Sequence, residues 1–402
     1  MSTTIAPEVL KAAAAEFGTP VYVYHAEKIK EQFESLKSSF SACDVRFFYA
    51  AKSLTNIHIL KYLSEIGSGI DCSSINEVEL ALYSGAKPEN VLYTSNNIHF
   101  SEIERAVELG VHINIDSLSN LKKFGEKYKG TYPVGIRMRP NIMAGGNIKI
   151  ATGHDKSKFG IPVTQLQEVL DIVNTTGLHI KTLHIHTGSE IKDVEVFVKG
   201  LSVMFELVPH FPQLEVVDLG GGFKVPYKPD EKGTDMELLG SSVAEAFKKF
   251  EAATGRHLQV WFEPGKYMVS ECGHFVTSVN VLKETGDINF AGIDTGLNHL
   301  IRPMFYGAYH KIDNISNPDG PLKNYQVVGY ICETDNFAED RPLPEVREGD
   351  LIVIRNAGAY CYEMASNYNS RFRPAEVLYR DGKLSLIRRR ETMEDLLRTQ
   401  LF

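Results

Sequence analysis

The sequence is poor in cysteine, and its cysteines form no recognisable pattern. Five cysteines are scattered over 402 residues without a Cys-x-x-Cys pair, so neither a disulfide framework nor a zinc site is predicted. A membrane-spanning helix needs about 18 consecutive apolar residues, and no such run occurs. The first residues also lack the basic segment, apolar core and cleavage site of a signal peptide. We therefore expect a cytoplasmic protein that does not act on a membrane.

Basic residues do not dominate the charge of the chain. Lysine and arginine number 43 against 51 acidic residues, which gives a formal net charge of −8. Binding to nucleic acid needs a basic face, so no nucleic-acid partner is expected. Linkers rich in proline, glycine or serine are missing as well. A hydrophobic content of 43% with 10% aromatic residues excludes general disorder and allows a large core.

Short apolar runs alternate with longer amphipathic segments between about residues 45 and 265. Alternation of this kind predicts a (β/α)8 barrel of the TIM type, with an open doubly wound sheet as the alternative. Capping pairs at Ser74 with Glu77 and at Ser101 with Glu104 predict two helix starts. The eight predicted strands are 45–50, 69–72, 91–95, 112–117, 134–140, 180–188, 215–221 and 258–264.

The pattern changes in the last third of the chain. Long helical patterns are mostly missing there, and short alternating runs predict an antiparallel β domain. The strand-like segment 20–25 precedes the barrel and can join that sheet. We therefore expect a barrel over residues 25–265 and a C-terminal antiparallel β domain over 266–402, with one strand from 1–24. The glycines and charges of 141–157 suggest a mobile flap over the site.

Polar residues gather where the predicted barrel strands end, which is where barrel enzymes place their active sites. A glycine run in this position can bind a phosphate through its backbone N–H groups, and a lysine can form an imine with an aldehyde. A carboxylate can hold a ring nitrogen protonated, and a histidine can stack on the ring. Together these features describe a site for pyridoxal 5'-phosphate, and no metal ligands are predicted. The residues are Lys52, Asp71, Arg137, His184, His186, Gly220, Gly221, Gly222 and Glu263.

Nine motifs follow one another along most of the chain. They are FFYAAKS around Lys52, DCSSINEVELAL around Asp71, KFGI (158–161), HIHTGSEI (184–191), DLGGGF (218–223), FEPGK (262–266), LIRPMFYGAYH (300–310), CET (332–334) and AGAYCYEMASNYNSRFRPAEVL (357–378). In these motifs the sequence resembles the fold-type III pyridoxal-phosphate decarboxylases over about residues 20–380. The resemblance is closest to members that act on meso-2,6-diaminopimelate. It implies decarboxylation of that small amino acid to L-lysine, the last step of lysine biosynthesis.

The resemblance also implies roles around the cofactor. Lys52 would bind the aldehyde carbon, His186 would stack on the ring, and Glu263 would pair with the pyridine nitrogen. A carboxylate there strengthens the ring as an electron sink and favours decarboxylation, whereas related racemases place an arginine at that point. His184 would support its strand. The other cofactor-binding residues that the resemblance implies are Asp71, Arg137, Ser189, Gly220, Gly221, Gly222, Gly265 and Tyr360.

A homodimer with shared active sites is a further implication. Cys332 and Glu333 would reach the active site of the partner subunit, where Cys332 would deliver a proton to the substrate carbon. Lys266 stands where the family usually has an arginine, so the two-pronged grip of a guanidinium is lost at that position. The substrate-binding residues implied are Lys266, Arg302, Tyr306, Glu333 and Tyr360.

Three alternative functions remain at the level of sequence. The first is a decarboxylase of the same fold for carboxynorspermidine, arginine or ornithine, which Arg302, Tyr306 and Glu333 disfavour. The second is a cofactor carrier without activity, which should have lost the lysine or the acid cysteine. The third is a sugar hydrolase that uses Asp71 and Glu263, but it leaves Lys52 and the glycine run without a role.

Overall fold

The structure is a computed structural model, and it describes residues 5–140 and 157–401. The flap hypothesised for residues 141–157 therefore falls, apart from residue 157, outside the described residues. Within the described ranges, every helix is too short or too polar to cross a membrane.

The chain divides into two compact units. The first described helix and strand, α1 (Pro7–Phe17) and β1 (Val21–His25), belong to what we call the sheet unit. The other is called the barrel unit. The domain bounds expected from the sequence stay a prediction. The barrel unit comprises Gln32–Val225 and Lys232–Met268, and the sheet unit comprises Met1–Glu31, Pro226–Glu231 and Val269–Phe402.

The barrel unit contains eight parallel strands that close on themselves, as the alternating sequence pattern predicted. They are β2 (Val45–Ala50), β3 (Gly69–Cys72), β4 (Val91–Thr94), β5 (His112–Ile115), β6 (Val134–Arg139), β8 (Ile180–His184), β9 (Val216–Asp218) and β10 (Gln259–Phe262). A short strand, β7 (Ile161–Pro162), pairs with β6 beside the ring. Pairing of β10 with β2 closes the ring and excludes the open doubly wound sheet.

Helices follow the barrel strands, and their starts test the capping predictions. Ser74 caps a helix as expected, because its Oγ accepts the N–H of Glu77 at 3.2 Å. The start predicted at Ser101 is wrong, since the helix begins at Phe100 and the ring of His99 accepts the Ser101 N–H at 3.3 Å. The helices are α2 (Ala26–Ser39), α3 (Ile57–Glu65), α4 (Ile75–Tyr83), α5 (Phe100–Leu109), α6 (Leu118–Tyr128), α7 (Leu166–Thr176), α8 (Val194–Leu207), α9 (Met236–Thr254) and α10 (Lys266–Val269).

The only tryptophan of the chain lies in the core of the barrel unit. The rings of Trp261 and Phe48 have centroids 4.6 Å apart, and Leu92 and Val216 complete the buried cluster. Burying each large apolar side chain of this kind stabilises the fold by about 1.5–3 kcal/mol. These residues precede the polar residues at the carboxyl ends of the strands, so the apolar core supports the polar end of the barrel.

The sheet unit contains a mostly antiparallel sheet. The segment before the barrel joins it, because β1 pairs in antiparallel fashion with one strand and in parallel with another. Two short helices, α11 (Arg302–Tyr306) and α12 (Met393–Leu397), belong to this unit. The other strands are β11 (Gly273–Thr285), β12 (Ile288–Ile293), β13 (Ile312–Asn314), β14 (Leu322–Val328), β15 (Asn336–Pro344), β16 (Leu351–Ile354), β17 (Ala375–Arg380) and β18 (Lys383–Arg388).

Close packing between α9 and the end of α2 leads to a stability prediction. A Cβ at Gly240 would overlap the backbone carbonyl oxygen of Ser39, which cannot rotate away as a side chain could. We expect Gly240→Ala to lower the free energy of unfolding by about 1–3 kcal/mol. The exposed neighbour Ser241 serves as control, and Ser241→Ala should change it by less than about 0.5 kcal/mol. Equal urea midpoints for the two variants would contradict the prediction.

Candidate active site

The strand register places polar residues side by side at the carboxyl end of the barrel. Arg137 in β6 stands opposite His184 in β8, which in turn stands opposite Asp218 in β9. Asp71 in β3 pairs with the last residue of β2, and Glu263 directly follows β10. Because all these strands are parallel, their carboxyl ends meet at one mouth. The structure therefore brings together residues that are far apart in the sequence.

Lys52 lies in the single 3₁₀ turn Ala51–Ser53, directly after β2. Its side chain is exposed, and its positive charge acts on the buried carboxyl groups of Asp71 and Glu263. A Cβ at Gly265 would overlap the hydroxyl of Ser53, so a glycine is needed where the end of β10 approaches this turn. An accessible amine beside buried acids is placed to react with a carbonyl compound.

The glycine run forms a turn that has no room for side chains. Gly220 and Gly222 have φ angles of +67° and +100°, which favour glycine. A Cβ at Gly221 would overlap the carbonyl oxygen of Glu263, and one at Gly222 would overlap that of Gly188. The turn is therefore packed closely against the backbone of Glu263 and Gly188, and backbone N–H groups in such a turn are suited to an anion such as phosphate.

Two N–H groups of this turn have partners within the barrel unit. Gly220 donates to Oδ1 of Asp218 at 2.9 Å, and Gly221 donates to Nδ1 of His186 at 3.3 Å. Burial, followed by the charge of Arg137, lowers the pKa of His186 well below its ordinary value, so the ring is neutral at pH 7. Since Nδ1 accepts a hydrogen bond, the proton of the ring is on Nε2. A neutral ring held in this way can stack on an aromatic ligand.

Glu263 is the ionised carboxylate of the mouth. It is 7% exposed, and its Oε1 lies 3.3 Å from Nε2 of His184. Burial by itself raises the pKa of Glu263, but His184 and Lys52 together bring it down to about 2. Burial also lowers the pKa of His184, so a neutral imidazole faces this carboxylate at pH 7.

Two further acids of the mouth ionise less readily than usual. Burial, followed by the charge of Glu263, raises the pKa of Asp71 and of Asp218 well above the ordinary range. The positive charges of Arg137 and Lys52 in the same mouth favour an anionic ligand. The ligand atoms of His184, Asp218 and Glu263 lie within 4.8 Å of one another, but the two cations disfavour a metal ion among them.

These residues fit pyridoxal 5'-phosphate. The turn without Cβ atoms suits the phosphate, and the exposed amine of Lys52 suits the aldehyde. Oε1 of Glu263 and Oδ1 of Asp71 are buried and make no hydrogen bond with a described residue. Such atoms can receive the polar edge of a ring, because a buried polar group costs free energy until it has a partner.

Lys266, at the start of α10, forms an ion pair with Glu190. Both side chains are mostly buried, 13% and 26% exposed. Glu190 directly follows Ser189, which is half-buried. The lysine that replaces the usual arginine thus has a carboxylate partner within the barrel unit.

The remaining predicted site residues lie in the sheet unit. Arg302 is 6% exposed, donates from Nη1 to the carbonyl oxygen of Ala359 at 3.2 Å, and has its guanidinium carbon 5.0 Å from the ring centroid of Tyr227. These contacts hold the guanidinium in a fixed place. Tyr306 ends α11, and Tyr360 follows Ala359 with a φ of +57°.

Cys332 and Glu333 stand on an exposed segment of the same unit. The backbone N–H of Cys332 donates to Oδ1 of Asn369 at 3.0 Å, and the hydroxyl of Tyr368 donates to Oε1 of Glu333 at 2.9 Å. Both partners come from one short segment, so residues 368–369 hold the Cys-Glu pair in place.

Sequence reasoning did not select two residues that the structure places in the site. Asp218 holds the glycine turn and lies beside Glu263, and Glu190 pairs with Lys266. Glu190 directly follows the selected Ser189, and Asp218 stands two positions before the selected Gly220. Only Asp218 could have been found from the sequence, because it stands at the end of a strand and shortly before three glycines.

The chain is similar in sequence to pyridoxal-dependent decarboxylases. Residues 26–270 match the pyridoxal binding domain of the pyridoxal-dependent decarboxylases. The diaminopimelate decarboxylase of Methanothermobacter thermautotrophicus is 40% identical over 398 residues, which cover 96% of this chain and 92% of the relative. That of Escherichia coli K12 is 35% identical over 417 residues, covering 99% and 98%.

Solved structures agree with these relatives. Diaminopimelate decarboxylase from Helicobacter pylori complexed with L-lysine has a TM-score of 0.89 and 32% identity, covering 97% of this chain and 98% of that one. Another crystal structure of a diaminopimelate decarboxylase has a TM-score of 0.92 and 34% identity, covering 100% and 98%.

The glycine turn yields a prediction for cofactor binding. Gly221→Ala would push the turn away from the backbone of Glu263, so we expect the Kd for pyridoxal phosphate to rise at least about tenfold, the value of one charge-assisted hydrogen bond. Gly200→Ala is the matched control, because its methyl would meet only the end of the Ile185 side chain. Absorbance titration of the full chain measures both constants. An unchanged Kd in folded Gly221→Ala would contradict the prediction.

Proposed function

Because the chain belongs to the diaminopimelate decarboxylases, within the family of pyridoxal-dependent decarboxylases, we propose that it converts meso-2,6-diaminopimelate to L-lysine and carbon dioxide. This makes it a carboxy-lyase of lysine biosynthesis, and its cofactor is pyridoxal 5'-phosphate. One observation carries the proposal beyond family membership. The exposed amine of Lys52, the glycine turn and the ionised Glu263 occupy a single barrel mouth.

The residues of the mouth would divide the work of holding the cofactor. When bound, pyridoxal phosphate supplies an aldehyde for the substrate amine and a ring that accepts the electron pair left by carbon dioxide. Lys52 would bind the aldehyde carbon, and Glu263 would hold the proton at the ring nitrogen. His186 would orient the ring by stacking.

The phosphate would lie against the glycine turn. Gly222 would offer its N–H group, with the hydroxyl of Ser189 beside it. The N–H groups of Gly220 and Gly221 are held by Asp218 and His186, so we assign these two glycines to the shape of the turn against which the phosphate lies.

Arg137 and Asp71 would set the charge near Lys52. Burial raises the pKa of Asp71, so the charge of Arg137 would act mainly on Glu263, on Asp116 and on the anionic cofactor. Gly265 would keep the end of β10 close to the turn that carries Lys52.

The sheet unit would supply the residues that act on the substrate. We propose that Cys332 gives a proton to the substrate Cα after carbon dioxide has left, and that Glu333 faces the far amino group. An exposed thiol with a fixed backbone fits that task. Both residues would act in the partner subunit's site of a homodimer.

The far carboxylate of the substrate needs a fixed cation. Arg302 is the better candidate, because its guanidinium is held by Ala359 and Tyr227. Lys266 already has Glu190 as a partner, so it would bind the carboxylate more weakly. Tyr306 would add a hydroxyl, and Tyr360 would stand near both cofactor and substrate.

We also propose that the protein works in the cytoplasm. The five cysteines, all among the described residues, form no disulfide with one another, and Cys332 is exposed, which suits a reducing compartment. The partners proposed are a small amino-acid substrate and a second copy of the chain, without nucleic acid or membrane.

A substrate panel tests the reaction. Purified protein with pyridoxal phosphate is incubated separately with meso-diaminopimelate, ornithine, arginine and carboxynorspermidine, and the amine products are quantified. We expect lysine from diaminopimelate alone, and a loss of at least about 10³-fold in Lys52→Ala, as for other covalent catalytic groups. Lys127→Ala, which removes an exposed lysine paired with Glu104, is the control. Turnover of another substrate alone would overturn the proposal.

Mixed dimers test the shared site. Lys52→Ala and Cys332→Ala, each nearly inactive alone, are mixed under conditions that exchange subunits. We expect about a quarter of the wild-type activity, because half of the dimers are mixed and each of these has one intact site of two. Activity that stays at the level of the separate variants would show that both residues act within one subunit.

A further inference from the structure

Asp218 is a fully buried acid without an assigned task in the reaction. Its side chain is 0% exposed, and its Oδ1 accepts the N–H of Gly220 at 2.9 Å. Its Oδ2 is also buried, and no described residue makes a hydrogen bond with it. One of its oxygens lies within 4.8 Å of the ligand atoms of His184 and Glu263. A buried oxygen without a partner costs free energy, so the neighbouring carboxylate is the place to look for its partner.

We propose that Asp218 carries a proton on Oδ2 and donates it in a hydrogen bond to Glu263, acting as the positioning residue of that carboxylate. Its other oxygen holds the Gly220 N–H, so one side chain connects the glycine turn with the partner of the cofactor ring. The inference rests on the proposed function in one respect: Glu263 is taken to face the ring nitrogen.

The geometry decides which of the two acids keeps the proton. Two buried carboxylates at this distance cannot both ionise. Glu263 has the imidazole of His184 at 3.3 Å and the positive charge of Lys52 in its favour. Asp218 has one backbone N–H. Burial and the charge of Glu263 accordingly raise the pKa of Asp218, whereas that of Glu263 falls to about 2.

The charged and titratable groups that the structure describes beside Asp218 on the neighbouring strands are consistent with this assignment. Glu263 after β10 is negative, and Asp71 from β3 is a neutral acid. Arg137 from β6 is positive and acts on Asp218 and Glu263 alike. His184 from β8 is neutral. The group with a negative charge thus lies next to the acid that can donate a proton to it.

The arrangement has a chemical consequence for the cofactor. Glu263 would receive donors from His184 and from Asp218, which fixes its plane and keeps it ionised. The backbone N–H of Glu263 donates to the carbonyl oxygen of Gly220 at 2.8 Å, so turn and carboxylate are joined twice. A displacement of the phosphate turn would therefore also displace the group that holds the ring nitrogen protonated.

Two substitutions in the holoenzyme test whether Asp218 acts as a hydrogen-bond donor or as a negative charge. In Asp218→Ala, we expect kcat to fall about tenfold or more, the value of one hydrogen bond to a charged group. The pH titration of the bound cofactor's absorbance should shift as well. Asp218→Asn should restore most of both, because an amide can donate to Glu263 and accept from Gly220. If Asp218→Asn is as impaired as Asp218→Ala, the proposal is overturned.

Unfolding of the full chain without cofactor gives a readout independent of turnover. We expect Asp218 to stay protonated in the folded chain but to ionise near pH 4 in the unfolded chain. Such a difference lowers the free energy of unfolding as the pH rises above about 4. An asparagine at this position has no such proton to lose. The folding equilibrium constant of Asp218→Asn, divided by that of the wild type, should therefore rise between pH 5 and 7 by up to about tenfold per pH unit. The exposed helix cap Asp235 is the control, and Asp235→Asn should show no such trend.

A constant or falling difference between Asp218→Asn and the wild type would show that Asp218 is ionised, and would overturn the inference even if Asp218→Ala fails to fold. The proposed function fails in a different way. A chain that shows the pH trend but does not decarboxylate diaminopimelate would refute that function while the proton on Asp218 stands.

Discussion

Asp71, Asp218 and Glu263 are buried close together in one barrel mouth, and the cost of ionising more than one of them constrains the rest of the site. Glu263 takes the charge because His184 and Lys52 lie nearby. Asp71 and Asp218 then ionise less readily, since burial and the charge of Glu263 both oppose their ionisation. The positive charges of Arg137 and Lys52 in the mouth suit an anionic cofactor.

The same constraint explains why the backbone around the mouth is so closely packed. Buried acids need donors, and Asp218 takes one from the glycine turn. That turn approaches the backbone of Glu263 too closely for any side chain. The glycine turn proposed for the phosphate and the carboxylate proposed for the ring nitrogen are therefore parts of one hydrogen-bonded structure.

Much of this could be predicted from the sequence because its signals are local. Apolar runs of strand length alternate with helical segments, and they predicted the closed barrel. The motifs that contain Lys52, Glu263 and Gly220 to Gly222 are typical of pyridoxal-phosphate decarboxylases. The helix start predicted at Ser101 is wrong, since a neighbouring side chain such as His99 can cap a helix as well as serine does.

The sequence by itself determined the barrel, the cofactor and the reaction class, because each depends on residues within a few positions of one another. Only the tertiary structure decided which acid is charged. Arg137, His184 and Asp218 become neighbours through the register of three parallel strands, and Glu263 joins them only when the barrel closes. The protonation of a buried acid depends on groups within a few ångströms in space, and no pattern along the chain records those distances.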